Sequence, residues 1–346
     1  MKRKFYPVAL AFLMAQLSPT TLQAVVLASE DFVFGAAAPA YTTNTSPANR
    51  SGTDNPGFTG AWTNNGTGYF NTSTTNLSLP GYASPGGSML VTPNSNGEYS
   101  RSISRTFTAD TTASTTIWTS TLFRPSTLAF DAGRESMIHF LSGGSGSDSP
   151  TSVLSSMNQP TVGASYGALW GGQNGTSSGH QLQGFGYGIS TFADTSTTMS
   201  LKYQTGANTV ALVDTNINLS LNTTYFVLSK LNLNVSGTYD TLDFWVLTSL
   251  PTSEALLGAP SYSITAADQV NLLTASSNLN NVVFAAGTLL DAPSSSSLTN
   301  FDAIRIGTTF ADVTAIPEPS RALLLGTALG LTLLHRRRPM TNITLQ

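Results

Sequence analysis

The chain has 346 residues, no cysteine and only 10% charged residues, with 15 Lys and Arg against 18 Asp and Glu. The missing thiols exclude disulfides, thiolate metal sites and a cysteine nucleophile. Seven of the basic residues lie in the two tails, so residues 29–316 carry eight basic and seventeen acidic side chains, about −9, which excludes a footprint for nucleic-acid phosphates.

The chain opens like a secretory leader. Lys2, Arg3 and Lys4 form a positive start, residues 8–17 an apolar run broken only by Gln16, and small residues follow. Two cleavage sites fit, Leu22-Gln23-Ala24 and Val26-Leu27-Ala28. The second has small or β-branched residues at both key positions and is preferred, giving a leader of residues 1–28. Its apolar run is short of the ~20 residues that span a membrane comfortably. Signal peptidase is the partner this segment implies.

The body, residues 29–315, reads as short strands separated by Gly, Asn, Ser and Pro clusters. Strands are expected over 99–107, 116–123, 136–141, 184–191, 199–204, 209–213, 224–235, 241–247, 282–285 and 303–306. In 99–107 the large side chains share one face and small hydroxyls the other. In 116–123, Ile117 and Phe123 share one face, Trp118 and Leu122 the other. Period-two patterning of this kind argues for antiparallel sheets with one face on a core. Residues 254–257 can form one helical turn, and no longer amphipathic helix precedes Ile316. At this length, ~290 residues, a sandwich can bury a sufficient core without disulfides. The pattern predicts an all-β antiparallel sandwich or jelly roll, with a β-solenoid as competitor that lacks a fixed-period repeat.

Catalytic candidates are few. Glycoside hydrolysis needs two carboxylates ~5–9 Å apart, and the nearest pairs in sequence are Asp131 with Glu135 and Asp240 with Asp243. Asp240 and Asp243 are an odd number of positions apart, so within one strand they would face opposite sides. These four are expected not to converge in one cleft. His139 faces away from Ile138 and Phe140 in mid-strand and is expected to be a surface or partly buried strand histidine. His180 has no second His nearby for a metal, no nucleophile elbow is present, and no spaced Asp/Asn loop marks a calcium site. No catalytic, cofactor or metal residues are assigned. Among aromatic platforms for sugar, Trp118 and Trp245 fall inside strand patterns and read as core, Trp62 and Trp170 read as nearer the surface, and packing is the preferred role for each of the four.

After the body comes Ile316-Pro317-Glu318-Pro319, then Ser320 and Arg321. An uncharged apolar run follows from Ala322 to Leu334, and then Arg336, Arg337 and Arg338. Pro317 and Pro319 favour an extended stretch before the helix. The run of 322–334 would reach ~20 Å as a helix against a ~30 Å hydrocarbon core, so snorkelling of Arg321 and local thinning are needed for a span. The arginine cluster would stay cytoplasmic.

These three parts in this order resemble the PEP-CTERM sorting domain. The resemblance implies recognition of Pro317, Glu318 and Pro319 by an exosortase, a membrane-embedded cysteine transpeptidase, with the 322–334 helix and Arg336–Arg338 holding an inner-membrane intermediate. Residues 339–346 extend beyond the usual end of that pattern, and a plain membrane anchor with a stop-transfer cluster is the alternative. The body resembles concanavalin A-like jelly rolls in three pieces. The first is Glu30-Asp31-Phe32 with residues 57–62, the second residues 225–230 with 241–246, and the third residues 301–307 with 308–313. In such folds the first and last strands pair, which would bring Phe32 near Ile304 and Ile306. The expected protein is therefore exported, sorted by exosortase to the cell surface or exterior, non-enzymatic and in contact with exopolysaccharide. A lectin-like or polysaccharide-degrading protein is the alternative.

Overall fold

The computed structural model describes residues 26–34, 41–52, 56–64, 70–84, 86–92, 101–107, 116–126, 134–142, 183–190, 198–206, 209–233, 239–273, 278–288 and 299–314. Residues 1–25 and 315–346, which include every expected sorting residue, lie outside them, whereas residues 26–28 of the expected leader are described.

Alternating side chains produce seventeen described strands. They are β1 (Val26–Glu30), β2 (Phe58–Asn64), β3 (Phe70–Ser73), β4 (Ser78–Leu79), β5 (Tyr82–Ala83) and β6 (Ser88–Val91). Next come β7 (Arg101–Phe107), β8 (Thr116–Pro125), β9 (Arg134–Ser142), β10 (Gln183–Ser190), β11 (Thr198–Gly206) and β12 (Thr209–Asn218). The last are β13 (Tyr225–Asn232), β14 (Thr241–Leu247), β15 (Tyr262–Ile264), β16 (Asn281–Thr288) and β17 (Thr299–Gly307). A five-residue helix, α1 (Phe310–Thr314), follows β17, and the expected helical turn is a 3-10 turn at Glu254–Leu256.

Two antiparallel sheets make a jelly-roll sandwich. One has eight strands, ordered β15-β14-β13-β8-β17-β6-β3 with β1 also on β17; the other has seven, ordered β12-β11-β10-β9-β16-β7-β2. Between them lies the main core, which takes Ile117 and Phe123 from β8, Phe185 and Tyr187 from β10, and Phe284 from β16. The eight-stranded sheet has a second core on its outer face, where Trp118 and Leu122 meet Phe226, Trp245, Phe310 and Val313. Trp118 and Trp245 stack there at 6.0 Å and 17°. The expectation of one buried face per sheet therefore undercounts: Tyr225 to Leu228 are all buried because both sides of β13 are covered.

The first and last described strands pair, as expected. β1 lies antiparallel to β17, with Val26 opposite Gly307, Ala28 opposite Ile306 and Glu30 opposite Ile304. A bulge in β17 between Asp302 and Arg305, with Ala303 at φ 50° and its N–H bonded to the Asp302 carboxylate at 2.7 Å, shifts the alternation. Phe301, Ile304 and Ile306 all reach the main core as a result. Phe32 follows β1 into that core, stacked on Trp62 at 6.2 Å. Trp62 is only 1% exposed, so it packs as expected, though deeper in the core than its place after a glycine-rich turn suggested. Its flanking glycines suggested a turn, but residues 58–64 form a strand and the ring packs against Phe284 at 5.4 Å.

Two buried charge networks tie these parts together. Glu30 on β1 accepts from Arg105 on β7 of the opposite sheet, from the Tyr41 hydroxyl at 2.7 Å and from the Phe32 N–H at 2.8 Å. Trp62 Nε1 donates to Tyr41 Oη at 2.8 Å. Burial pushes the Glu30 carboxyl up to about 7, against the downward pull of Arg105. Asp31 pairs with Arg305 at 3.0 Å, and Arg305 also donates to Tyr82 Oη at 2.8 Å, pinning the β4–β5 hairpin over the eight-stranded sheet.

Candidate functional site

The outer face of the seven-stranded sheet is built differently from the rest. On β9, Ile138 and Phe140 enter the core, so Glu135, Met137 and His139 project the other way. On β10 the sequence Gln-Gly-Phe-Gly-Tyr-Gly-Ile-Ser puts Phe185, Tyr187 and Ile189 in the core and leaves glycines at 184, 186 and 188 on the outer face. On β11, Met199 and Leu201 enter the core and Ser200 and Lys202 face outward.

Register brings these together. Gly186 lies opposite His139 on one side and Lys202 on the other, and Ser190 lies opposite Glu135. Because β10 presents no side chains at 186 and 188, Lys202 crosses it and its Nζ donates to Glu135 Oε2 at 2.5 Å. The glycine at 186 is required sterically: a Cβ there would stand 2.0 Å from His139 Nδ1. Lys202 is 1% exposed, Glu135 3% and His139 0%, so the expectation of a surface or partly buried histidine is corrected: the ring is fully buried. The imidazole is hidden although it faces away from the main core.

Burial pulls the Lys202 ammonium below its usual range, with Glu135 opposing. Burial likewise pulls His139 well below its usual range, and the positive charge of Lys202 adds to the effect, so the imidazole is neutral at physiological pH. Next to this acid–base cluster the face becomes hydroxyl-rich. Val283 separates His139 from Ser104, whose hydroxyl meets that of Thr63 at 2.7 Å; Thr59 and Thr106 meet likewise at 2.8 Å. The acid–base cluster itself is buried, whereas Thr59, Thr63 and Thr106 are exposed and their hydroxyls can hydrogen-bond a ligand.

Of the four carboxylates singled out in the sequence, the three that are described do not all converge. Glu135 belongs to the seven-stranded sheet, whereas Asp240 and Asp243 belong to the β14 region of the other. Asp240 accepts the Leu273 N–H at 2.9 Å, and Asp243 accepts the Ser263 hydroxyl at 2.8 Å. Asp131, His180 and Trp170 lie outside the described residues. Among the described residues, no group of three His, Asp or Glu side chains is placed to hold a metal ion, and no helix is long and apolar enough to cross a membrane. Sequence reasoning missed Lys202 as the partner of Glu135, 67 positions away. The alternate glycines of 184–188 were the one local signal.

No family model and no curated protein matches the chain. Solved structures do. The PL-14 alginate lyase from Aplysia kurodai aligns at 12% identity and a TM-score of 0.47, over 71% of this chain and 89% of that one. A cellulose-induced protein aligns at 13% identity and 0.39, over 81% and 97%. The lectin UEA-II, solved with galactose, aligns at 10% identity and 0.39, over 77% and 96%. No residue role is carried over from these proteins, and the fold assignment rests on strand order and register.

Proposed function

We propose that this chain is an exported jelly-roll protein delivered to the cell surface or exterior by an exosortase acting on its C-terminal tail. It serves there as a non-enzymatic component in contact with exopolysaccharide. Pro317, Glu318 and Pro319 are the recognition segment, the run from Ala322 to Leu334 enters the inner membrane, and Arg336, Arg337 and Arg338 hold its cytoplasmic side.

The supporting observation is the packing of the first and last described elements against each other. Val26 pairs with Gly307, and α1 begins three residues later and packs on β17, β8 and β1. The Asp312 carboxylate accepts the Thr308 and Thr309 N–H groups at 2.9 and 2.8 Å, and Phe310 packs on Trp118, so the fold is anchored up to Thr314. The described residues thus begin and end on elements packed together, β1 and α1, so segments on either side can be processed without unfolding them. The test is fractionation of the full chain in a host with and without exosortase: tail processing confined to the first host supports the proposal, and identical full-length protein in both refutes it.

The second reading is a carbohydrate-binding or polysaccharide-degrading protein, favoured by the Glu135–His139–Lys202 cluster and its adjoining hydroxyls. A binding and cleavage screen against neutral and acidic polysaccharides separates the two. Cleavage lost in Lys202→Met but kept in Lys230→Met would favour this second reading.

A further inference from the structure

From the pairing of β1 with β17 we infer that the leader is removed after Ala24, so that the processed chain begins at Val25, and not after Ala28. The inference rests on the export reading above and reverses the preference that side-chain size alone gives to the Val26-Leu27-Ala28 site.

Three features of β1 would be lost by cutting after Ala28. Val26 and Ala28 hold the ladder to Gly307 and Ile306 on the edge of β17 that β6 does not reach, since β6 pairs only with residues 299–301. Ala28 is fully buried and Leu27 packs against the main core. Gly57 is fitted to this segment: at φ +80° it lies so close that an added Cβ would stand 1.8 Å from the Leu27 carbonyl oxygen. The missing side chain at 57 is what lets the Leu27 carbonyl approach so closely.

The new terminus would also be badly placed. The Ser29 N–H donates to the Pro56 carbonyl at 3.0 Å, and Ser29 is 4% exposed. Cutting after Ala28 turns that amide into a buried α-ammonium group one residue from Glu30. A buried charge is costly unless fully paired, and the Glu30 carboxylate is already engaged by Arg105, Tyr41 and Phe32. Cutting after Ala24 leaves the whole of β1 intact, and the new terminus precedes Val26, which is only half-buried. The bond broken is the Ala24–Val25 amide, hydrolysed by one water to a carboxylate on the leader and an amine on Val25.

The experiment is the N-terminal mass of the full chain exported from a Gram-negative host, for the natural sequence and for Ala24→Phe, which places a bulky side chain where the peptidase needs a small one. A Val25 terminus, with unprocessed precursor accumulating in Ala24→Phe, is expected. A Ser29 terminus, or unimpaired processing of Ala24→Phe, overturns the inference while leaving export intact. A retained leader in the natural chain overturns the export reading and this inference with it. A second variant lacking residues 25–28 keeps the Ala24 site but yields a chain starting at Ser29. Its melting midpoint should fall by roughly 5–10 °C, and an unchanged midpoint would contradict the role assigned to the start of β1.

Discussion

Replacing Arg105 with methionine is the most informative single perturbation of the fold. Arg105 is 3% exposed and Glu30 is fully buried, and they join the two sheets through one contact between guanidinium and carboxylate. Arg105 also donates from Nε to the Gly60 carbonyl at 3.1 Å and covers the Phe58 ring at 4.9 Å. Methionine preserves much of the packing volume but leaves Glu30 uncompensated. Breaking one side of a buried pair costs about 3–5 kcal/mol, which for a domain of this size lowers the melting midpoint by about 6–20 °C. The cost should depend on pH in a defined direction. The Glu30 carboxyl is raised from 4.5 to about 7, first by burial. A raised acid contributes stability that is complete below pH 4.5 and is lost as pH rises through 7, about 3 kcal/mol in all. At pH 5 the folded carboxyl is neutral and needs its arginine less than at pH 8. Thermal melts of the natural chain, Arg105→Met, Glu30→Gln and the double variant at both pH values make the test. The double variant should be more stable than Arg105→Met at pH 8, and Glu30→Gln should flatten the pH dependence between 5 and 8. Strict additivity, or an equal cost of Arg105→Met at pH 5 and pH 8, would refute the electrostatic account.

Further outcomes follow from the same structure. Gly186→Ala should lower stability by about 1–3 kcal/mol in chemical denaturation, because its Cβ meets the His139 ring at 2.0 Å. Adding His139→Ala should recover part of that loss, and no recovery would place the strain elsewhere. Lys202→Met should cost about 3–5 kcal/mol and Lys202→Met/Glu135→Leu much less, since the second change removes the stranded carboxylate. Equal denaturation midpoints for the two would show that the pair is not coupled. In the tail, Pro317→Ala/Pro319→Ala should reduce processing without blocking membrane insertion, as read by protease protection and immunoblot. Arg336–Arg338 changed to glutamate should disturb insertion itself.

Strands covered by apolar layers were the ones legible in the sequence. Ile117 and Phe123 do part from Trp118 and Leu122, into the main and the second core, because alternation survives wherever each face meets a hydrophobic layer. The short strands between Phe70 and Val91 were not read, since their Ser and Thr residues carry little period-two contrast and their pairing with β17 is distant in sequence. Arg105 occupies a core-facing position that an apolar pattern would assign to a hydrophobe, and its charge is matched by Glu30, 75 residues away. α1 is too short to show a helical period and is held by Asp312 and by the close approach of Gly307 to that side chain. The candidate site was hidden for the same reason as the ion pairs: Glu135, His139 and Lys202 meet through register across three strands, which no local motif encodes.

The claim of tail-directed sorting is tested most directly by the C-terminal mass of the chain recovered from a host with its exosortase and from the same host without it. A processed terminus near Pro317-Glu318-Pro319, outside the inner membrane and only in the first host, is the predicted result. A chain ending at Gln346 in the same fraction of both hosts would contradict it.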